Sequence, residues 1–219
     1  MKPLALIACH HAAFGAVLGH LPQWQKFTEP FLTFSDAIPA QVITEAICHL
    51  VGPAGHVGPD SIKRVKAILA LAEFVAAARL NPHVLIGEYD AVPFRSVPTD
   101  IPPIGVVSAP LHPNGSPRFS EPFYPHVFWR MHVSTLSMLN LAAKGFPNDA
   151  EDSMGDRWFA ALCTKAGVRL ENDPLTYSRN SLDLPEYVQG AIECIKGGGW
   201  ACHGIKTSEV FDALLSAAT

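Results

Sequence analysis

The sequence predicts an α/β fold, with a mainly parallel sheet carrying helices on its faces. Short, continuously apolar runs that end in polar residues are typical of buried parallel strands, and Leu4–Cys9 before His10 is the first of them. A long helical pattern at residues 61–79 is followed by a second such run at residues 83–86. This strand, helix, strand order favours a parallel sheet, and no repeat or linker divides residues 1–219, which are therefore expected to form one domain.

Each element is predicted from its local pattern. Residues 31–34 repeat the apolar run of the first strand, and residues 61–79 carry apolar side chains at helical spacing until Asn81 and Pro82 stop the helix. Nine prolines between positions 93 and 125 leave room only for a strand at residues 104–109. Further helices are predicted at residues 129–144, at residues 156–166 before Gly167, and after Thr207.

Composition limits the possible functions. With 219 residues, 48% of them hydrophobic and 16% charged, the chain is long and apolar enough to form a closed core. A net charge of -4 and no cluster of Lys or Arg make nucleic acid an unexpected partner. No apolar run approaches the roughly 20 residues of a transmembrane helix. The five cysteines are scattered without a CxxC pair, which suits a reducing compartment, so we expect a cytoplasmic protein.

Two acids at the end of the predicted strand 83–86 are the strongest functional signal. Glu88 and Asp90 are separated by one residue, so in an extended chain both side chains point to the same face. Two carboxylates aimed together repel unless a cation or a proton lies between them. Oxygen ligands suit Mg²⁺ or Mn²⁺, which also bind substrate phosphates. The alternative is that both acids only cap the following turn.

Three features in order resemble the GT-A class of nucleotide-sugar glycosyltransferases. The first is the strand-end pair, where that class has Asp-x-Asp and this chain has Glu88 in place of the first Asp. The second is a helix start at Gly155-Asp156 that reaches Ala166-Gly167 eleven residues later, where the class has a Glu-Asp pair. The third is His203, a late histidine that follows a glycine-rich turn.

The resemblance implies a Rossmann-like GT-A domain and a Mn²⁺ or Mg²⁺ ion held by Glu88, Asp90 and His203. It implies a nucleoside diphosphate sugar as donor, with a UDP-sugar favoured, and a saccharide or other hydroxyl compound as acceptor. The expected activity is hexosyl transfer with inversion, in which Asp156 takes the acceptor proton. A literal Glu151-Asp152 pair lies just upstream, so Asp152 is the second candidate for this base.

Five residues are expected to bind the donor. Cys9, His10 and Asp36 follow or end the first two predicted strands, at the edge where ligands bind in open α/β sheets. Tyr89 lies between the two acids, and Lys206 can neutralise a diphosphate.

Two other classes of function remain open from the sequence. A metal-dependent phosphoesterase or nucleotidyltransferase uses the same Asp, Glu and His ligands. A non-catalytic domain that binds nucleotide sugars would explain why the first Asp and the Glu of the family pattern are missing.

Overall fold

The computed structural model describes residues 1–34, 48–50, 59–111, 128–147, 155–178 and 185–219. The strands in this part of the chain are β1 (Leu4–Cys9), β2 (Glu29–Phe34), β3 (Cys48–Leu50), β4 (His83–Glu88), β5 (Ala91–Pro93), β6 (Val106–Ala109), β7 (Phe128–His132), β8 (Arg169–Asn172), β9 (Thr176–Tyr177) and β10 (Ala201–His203). The helices are α1 (Phe14–Phe27), α2 (Pro59–Arg79), α3 (Val133–Ala143), α4 (Gly155–Lys165), α5 (Pro185–Lys196) and α6 (Ser208–Ala218), and a short 3-10 turn, His11–Ala13, precedes α1. None of the helices described combines the length and the apolar character that crossing a bilayer requires.

Seven strands form a mixed sheet in the order β3-β2-β1-β4-β7-β6-β8. Only β7 runs against the others, since it pairs antiparallel with both β4 and β6 while the remaining pairs are parallel. The prediction of an α/β fold with a mainly parallel sheet is therefore confirmed. The carboxyl ends of β1 and β4 lie at the same edge, where Ala8 pairs with Glu88.

Helices cover both faces of this sheet because the central strands are apolar on both sides. Leu6 of β1 belongs to the core that α2, α3 and α4 complete on one face. Its neighbour Ile7 points to the other face, where Val17 and Trp24 of α1 cover it. The fully buried β1 thus shows the two-sided burial expected of a central parallel strand.

The predicted helix at residues 129–144 is wrong at its start. Residues Phe128–His132 form strand β7, with Phe128 and Trp129 almost completely buried between neighbouring strands. Helix α3 begins only at Val133, where the His132 side chain accepts a hydrogen bond from the backbone N–H of Ser134. Aromatic residues suit an interior strand, but this assignment depends on partners that are distant in sequence.

A second sheet, in the order β5-β10-β9, is tied to the first by a buried ion pair. Arg130 of β7 donates to Asp173 Oδ2 through Nε at 3.0 Å and through a terminal nitrogen at 2.8 Å. The indole of Trp200, just before β10, donates to the same oxygen at 3.0 Å. A buried charge is tolerated when it is paired and hydrogen-bonded, and Ser108 of β6 gives Arg130 one more partner at 3.0 Å.

We expect Ser108→Ala to lower the free energy of unfolding by about 1–3 kcal/mol, because it removes one hydrogen bond from the buried guanidinium of Arg130. Denaturant titration measures this loss. Ser96→Ala, at an exposed position, is the matched control and is expected to leave stability unchanged. Equal stability of the two variants would show that Arg130 does not depend on Ser108.

Candidate metal centre

The two acids lie at the carboxyl edge of the large sheet, at the end of a central strand. Glu88 is the last residue of β4 and is partly buried. Asp90 is 4% exposed and lies in the turn between β4 and β5. The alternation of an extended strand therefore does not align the two carboxylates, contrary to the sequence-based expectation. The turn after Glu88 places Asp90.

Strand β10 brings His203 to this turn from the far end of the described chain. It pairs antiparallel with β5, and His203 lies opposite Ala91. The carbonyl oxygen of Asp90 accepts hydrogen bonds from the N–H groups of Gly204 and Ile205, at 3.1 and 3.0 Å. Gly204 has φ +92°, a conformation that favours glycine, so the chain can turn back over Asp90 at this point.

The three side chains converge. The Nε2 atom of His203 lies 3.3 Å from Asp90 Oδ1 and 3.6 Å from Glu88 Oε2. One ligand atom from each residue falls within 4.8 Å of the other two. The Asp90 Oδ1 atom is buried, and despite its short distance to His203 it has no well-formed hydrogen bond with the described part of the protein. A buried carboxylate oxygen without such a bond is costly, so the cluster is suited to a further positive group.

The charges of the two acids control the ionisation of His203. Burial alone lowers the pKa of this imidazole, but attraction to the negative charges of Asp90 and Glu88 outweighs burial and raises the pKa to about 9. At neutral pH and without a metal, His203 is therefore an imidazolium, and its proton supplies the positive charge that the carboxylates require.

The donor set fits a divalent cation. Carboxylate oxygens suit hard ions such as Mn²⁺ and Mg²⁺, and a neutral imidazole nitrogen adds a ligand that Mn²⁺ and other transition metals accept. The orphaned oxygen of Asp90 supports this fit. Glu88, Asp90 and His203 can thus hold a metal ion together, while the choice of metal remains a prediction.

We expect Mn²⁺ affinity to rise with pH. A bound cation must displace the proton of His203, whose pKa is raised to about 9, so binding at pH 7 should release about one proton. Affinity should then increase roughly tenfold per unit from pH 7 until it levels off near the pKa of His203. Calorimetry in buffers of different ionisation enthalpy measures both quantities. Affinity that stays constant over this range would contradict a role for His203 as a ligand.

Three of the predicted donor-binding residues lie beside the two acids. The rings of His10 and Tyr89 meet edge to face, with centroids 5.0 Å apart. The thiol of the buried Cys9 donates to the carbonyl of His10 at 3.3 Å. Burial, then the negative charges of Asp90 and Glu88, raise the pKa of Tyr89 to about 12, so its phenol stays neutral. These three residues form a partly aromatic surface next to the proposed metal ligands.

Asp156 lies at the same edge of the sheet. The C-terminal end of α2 at Arg79 leads into the first residue of β4, so the first turn of α2 is at the carboxyl edge. Ser61 of that turn accepts a hydrogen bond from the N–H of Gly155 at 2.9 Å, which places the start of α4 there. Asp156, the next residue, is 4% exposed.

The close approach of α2 and α4 explains the glycine before Asp156. A Cβ atom at position 155 would lie 2.6 Å from Val65 Cγ2 and 2.9 Å from Ser61 Oγ. The glutamate that the family pattern has at this position would therefore not fit unless the side chains of Val65 and Ser61 moved.

Of the remaining predicted site residues, Lys206 is described and does not belong to the cluster. Lys206 lies three residues beyond His203 and is exposed. Asp36 and Asp152 lie outside the described residues.

Two supporting residues were not singled out from the sequence. His20 of α1 is 5% exposed, and its Nδ1 atom lies 3.4 Å from the carbonyl oxygen of Tyr89. Burial lowers the pKa of His20 despite that hydrogen bond and the nearby Asp90, so the ring is neutral and donates to the carbonyl. Ser178, just after β9, lies 3.3 Å from His203 Nδ1. Neither residue has a local sequence pattern that marks it, because both act through contacts distant in the chain.

The chain matches no protein-family model, and no curated protein shows significant sequence similarity to it.

Proposed function

We propose that this chain is a metal-dependent glycosyltransferase of the GT-A class, which transfers a sugar from a nucleoside diphosphate sugar to a hydroxyl acceptor with inversion. The observation that carries the proposal is the convergence of Glu88, Asp90 and His203 at the carboxyl edge of the sheet. These are the ligands that the resemblance implies, and they come from segments more than a hundred residues apart.

The position of the cluster supports a nucleotide-type ligand. Ligands of open α/β sheets bind at the carboxyl ends of the strands, and here β1 and β4 end beside each other at the cluster. Cys9 and His10 end or follow β1, so they are placed to contact a donor bound there. Tyr89 offers its ring next to that of His10. The exposed Lys206 is proposed to pair with the diphosphate.

In the proposed reaction, different residues act on the two sides of the bond between the sugar and the diphosphate. A divalent cation held by Glu88, Asp90 and His203 supplies Lewis-acid stabilisation of the leaving nucleoside diphosphate. Asp156 takes the proton of the acceptor hydroxyl as that oxygen attacks the sugar, with Asp152 as the alternative base. Before a cation binds, Glu88 and Asp90 keep His203 oriented through their contacts with Nε2.

A metal-dependent phosphoesterase is the second candidate. It would use the same ligands, but two-metal hydrolysis needs more of them than one cluster supplies. Within the residues that the structure describes, Glu88, Asp90 and His203 are the only group of three or more residues with metal-binding geometry. This favours single-metal chemistry, as in sugar transfer.

Incubation of the intact chain with UDP-glucose and Mn²⁺, with and without EDTA, tests the proposal. We expect slow release of UDP and glucose that stops when EDTA removes the metal. Hydrolysis of bis-p-nitrophenyl phosphate without cleavage of UDP-glucose would favour the phosphoesterase instead. Metal-dependent binding without turnover, in the presence of a panel of saccharide acceptors, would indicate a non-catalytic binding domain.

A further inference from the structure

The second nitrogen of the His203 ring has its own partner. Strands β9 and β10 run parallel, with Thr176 beside Ala201 and Tyr177 beside Cys202. The same register brings Ser178 beside His203, where the hydroxyl Oγ lies 3.3 Å from Nδ1. The imidazole is therefore contacted at both nitrogens, by carboxylates at Nε2 and by a hydroxyl at Nδ1.

The proton distribution on this ring decides whether it can bind a metal. A neutral imidazole carries one N–H, and only the other nitrogen has a lone pair for a cation. Because Nε2 faces Glu88 and Asp90, a metal ligand at that nitrogen requires the proton to be on Nδ1. A serine hydroxyl that accepts from Nδ1 stabilises this tautomer and fixes the plane of the ring.

We propose that Ser178 is a positioning residue that accepts the Nδ1–H of His203 when Nε2 binds a divalent cation between Glu88 and Asp90, and so fixes the plane of the ring. The inference rests on the metal centre of the proposed function. It extends that proposal by naming the residue that contacts the second ring nitrogen of His203. Ser178 does not touch the ion or the substrate in this role.

Hydrogen bonds hold the start of β9, the strand that Ser178 follows. Asp173 accepts hydrogen bonds from the N–H of Leu175 through its side chain, at 3.1 Å, and from the N–H of Thr176 through its carbonyl. The carboxylate of Asp173 is in turn fixed by Arg130 and Trp200. The buried ion pair between the two sheets thus sets the start of β9, and through it the position of Ser178.

Ser178→Ala and Ser178→Thr test this role, and Thr176→Val is the matched control. Thr176 lies two residues away on the same strand, and its buried hydroxyl finds no hydrogen-bond partner in the described part of the chain. Ser178→Ala should weaken Mn²⁺ binding about 10- to 100-fold, as is usual when a partner behind a metal ligand is removed. Ser178→Thr should keep most of the affinity, and Thr176→Val should match the unmodified chain.

Nitrogen-15 NMR of the His203 ring with the diamagnetic ion Zn²⁺ bound gives a second readout. Without a metal, the carboxylates of Glu88 and Asp90 favour a proton on Nε2. With Zn²⁺ at Nε2, we expect the Nδ1–H of the unmodified chain and of Ser178→Thr to show the chemical shift of a hydrogen-bonded group, and this shift to change in Ser178→Ala. An unchanged Nδ1 chemical shift together with unchanged Mn²⁺ affinity in Ser178→Ala would overturn the inference. Failure of the unmodified chain to bind Mn²⁺ would overturn the proposed metal centre, and the role of Ser178 with it.

Discussion

Asp90→Ala is expected to abolish the dependence of UDP binding on a divalent cation. Asp90 is 4% exposed, and within the described residues its buried Oδ1 atom has no well-formed hydrogen bond, so Asp90 is the proposed ligand whose removal should matter most. Loss of a residue behind a metal ligand typically costs about 10- to 100-fold in affinity, so loss of the ligand itself should cost about 100-fold or more. Calorimetric titration of UDP, with Mn²⁺ and with EDTA, measures the effect.

The fold is expected to survive this change. The hydrogen bonds that join Asp90 to Gly204 and Ile205 use its backbone carbonyl, which alanine keeps. Asp90→Asn retains the shape of the side chain as well, and should still lose metal binding. Asp100→Ala removes an exposed acid elsewhere and is the matched control. Equal UDP affinity with and without metal in the unmodified chain, or unchanged metal dependence in Asp90→Ala, would argue against the site.

Glu88→Ala should have a milder effect. Glu88 is only partly buried, and its nearest oxygen is farther from His203 Nε2 than that of Asp90, at 3.6 Å against 3.3 Å. A partly exposed carboxylate can act on a metal through a water molecule instead of by direct contact.

Asp156→Asn is expected to slow sugar transfer about 10²- to 10⁴-fold while UDP affinity stays normal. Loss of a general base lowers the rate of the chemical step by that amount, whereas loss of donor binding changes mainly the nucleotide affinity. Asparagine keeps the size of the side chain and much of its capacity to accept hydrogen bonds at the start of α4, so the helix should form. Rates of transfer from UDP-glucose and thermal unfolding of the same variant separate these effects.

Asp152→Asn is the comparison variant, and it should remain substantially active. The opposite ranking would make Asp152 the base. Near-normal rates in both variants, or a product that retains the anomeric configuration of the donor, would remove base-catalysed inversion altogether.

Local patterns predicted the elements whose burial follows from short stretches of sequence. The continuously apolar run of β1 and the helical spacing of α2 are both found where they were expected. Strand β7 was misassigned to a helix, because its aromatic residues are stabilised by β4 and β6, which no local pattern reveals. Helix α1 was not predicted, and it contains Gly15, Gly19 and Pro22, residues that weaken a helical signal.

The candidate site was predictable only where its residues form a motif. Glu88 and Asp90 are close in sequence, and His203 was implied by a family resemblance. His20 and Ser178 support them through a backbone carbonyl and through strand register, which depend on tertiary structure. The reason for Gly155 likewise became clear only from the contact between α2 and α4.

The position of His203 on β10 also means that the three residues of the cluster are synthesised at different times. During synthesis the turn with Glu88 and Asp90 leaves the ribosome more than a hundred residues before His203. At roughly 5–20 residues per second, that interval lasts about 5–20 s or more. The nascent chain carries the two acids without their third partner for this period, so any cation it captures is held by carboxylates alone. Full affinity of the proposed metal centre would therefore require that β10 has been made and has paired with β5.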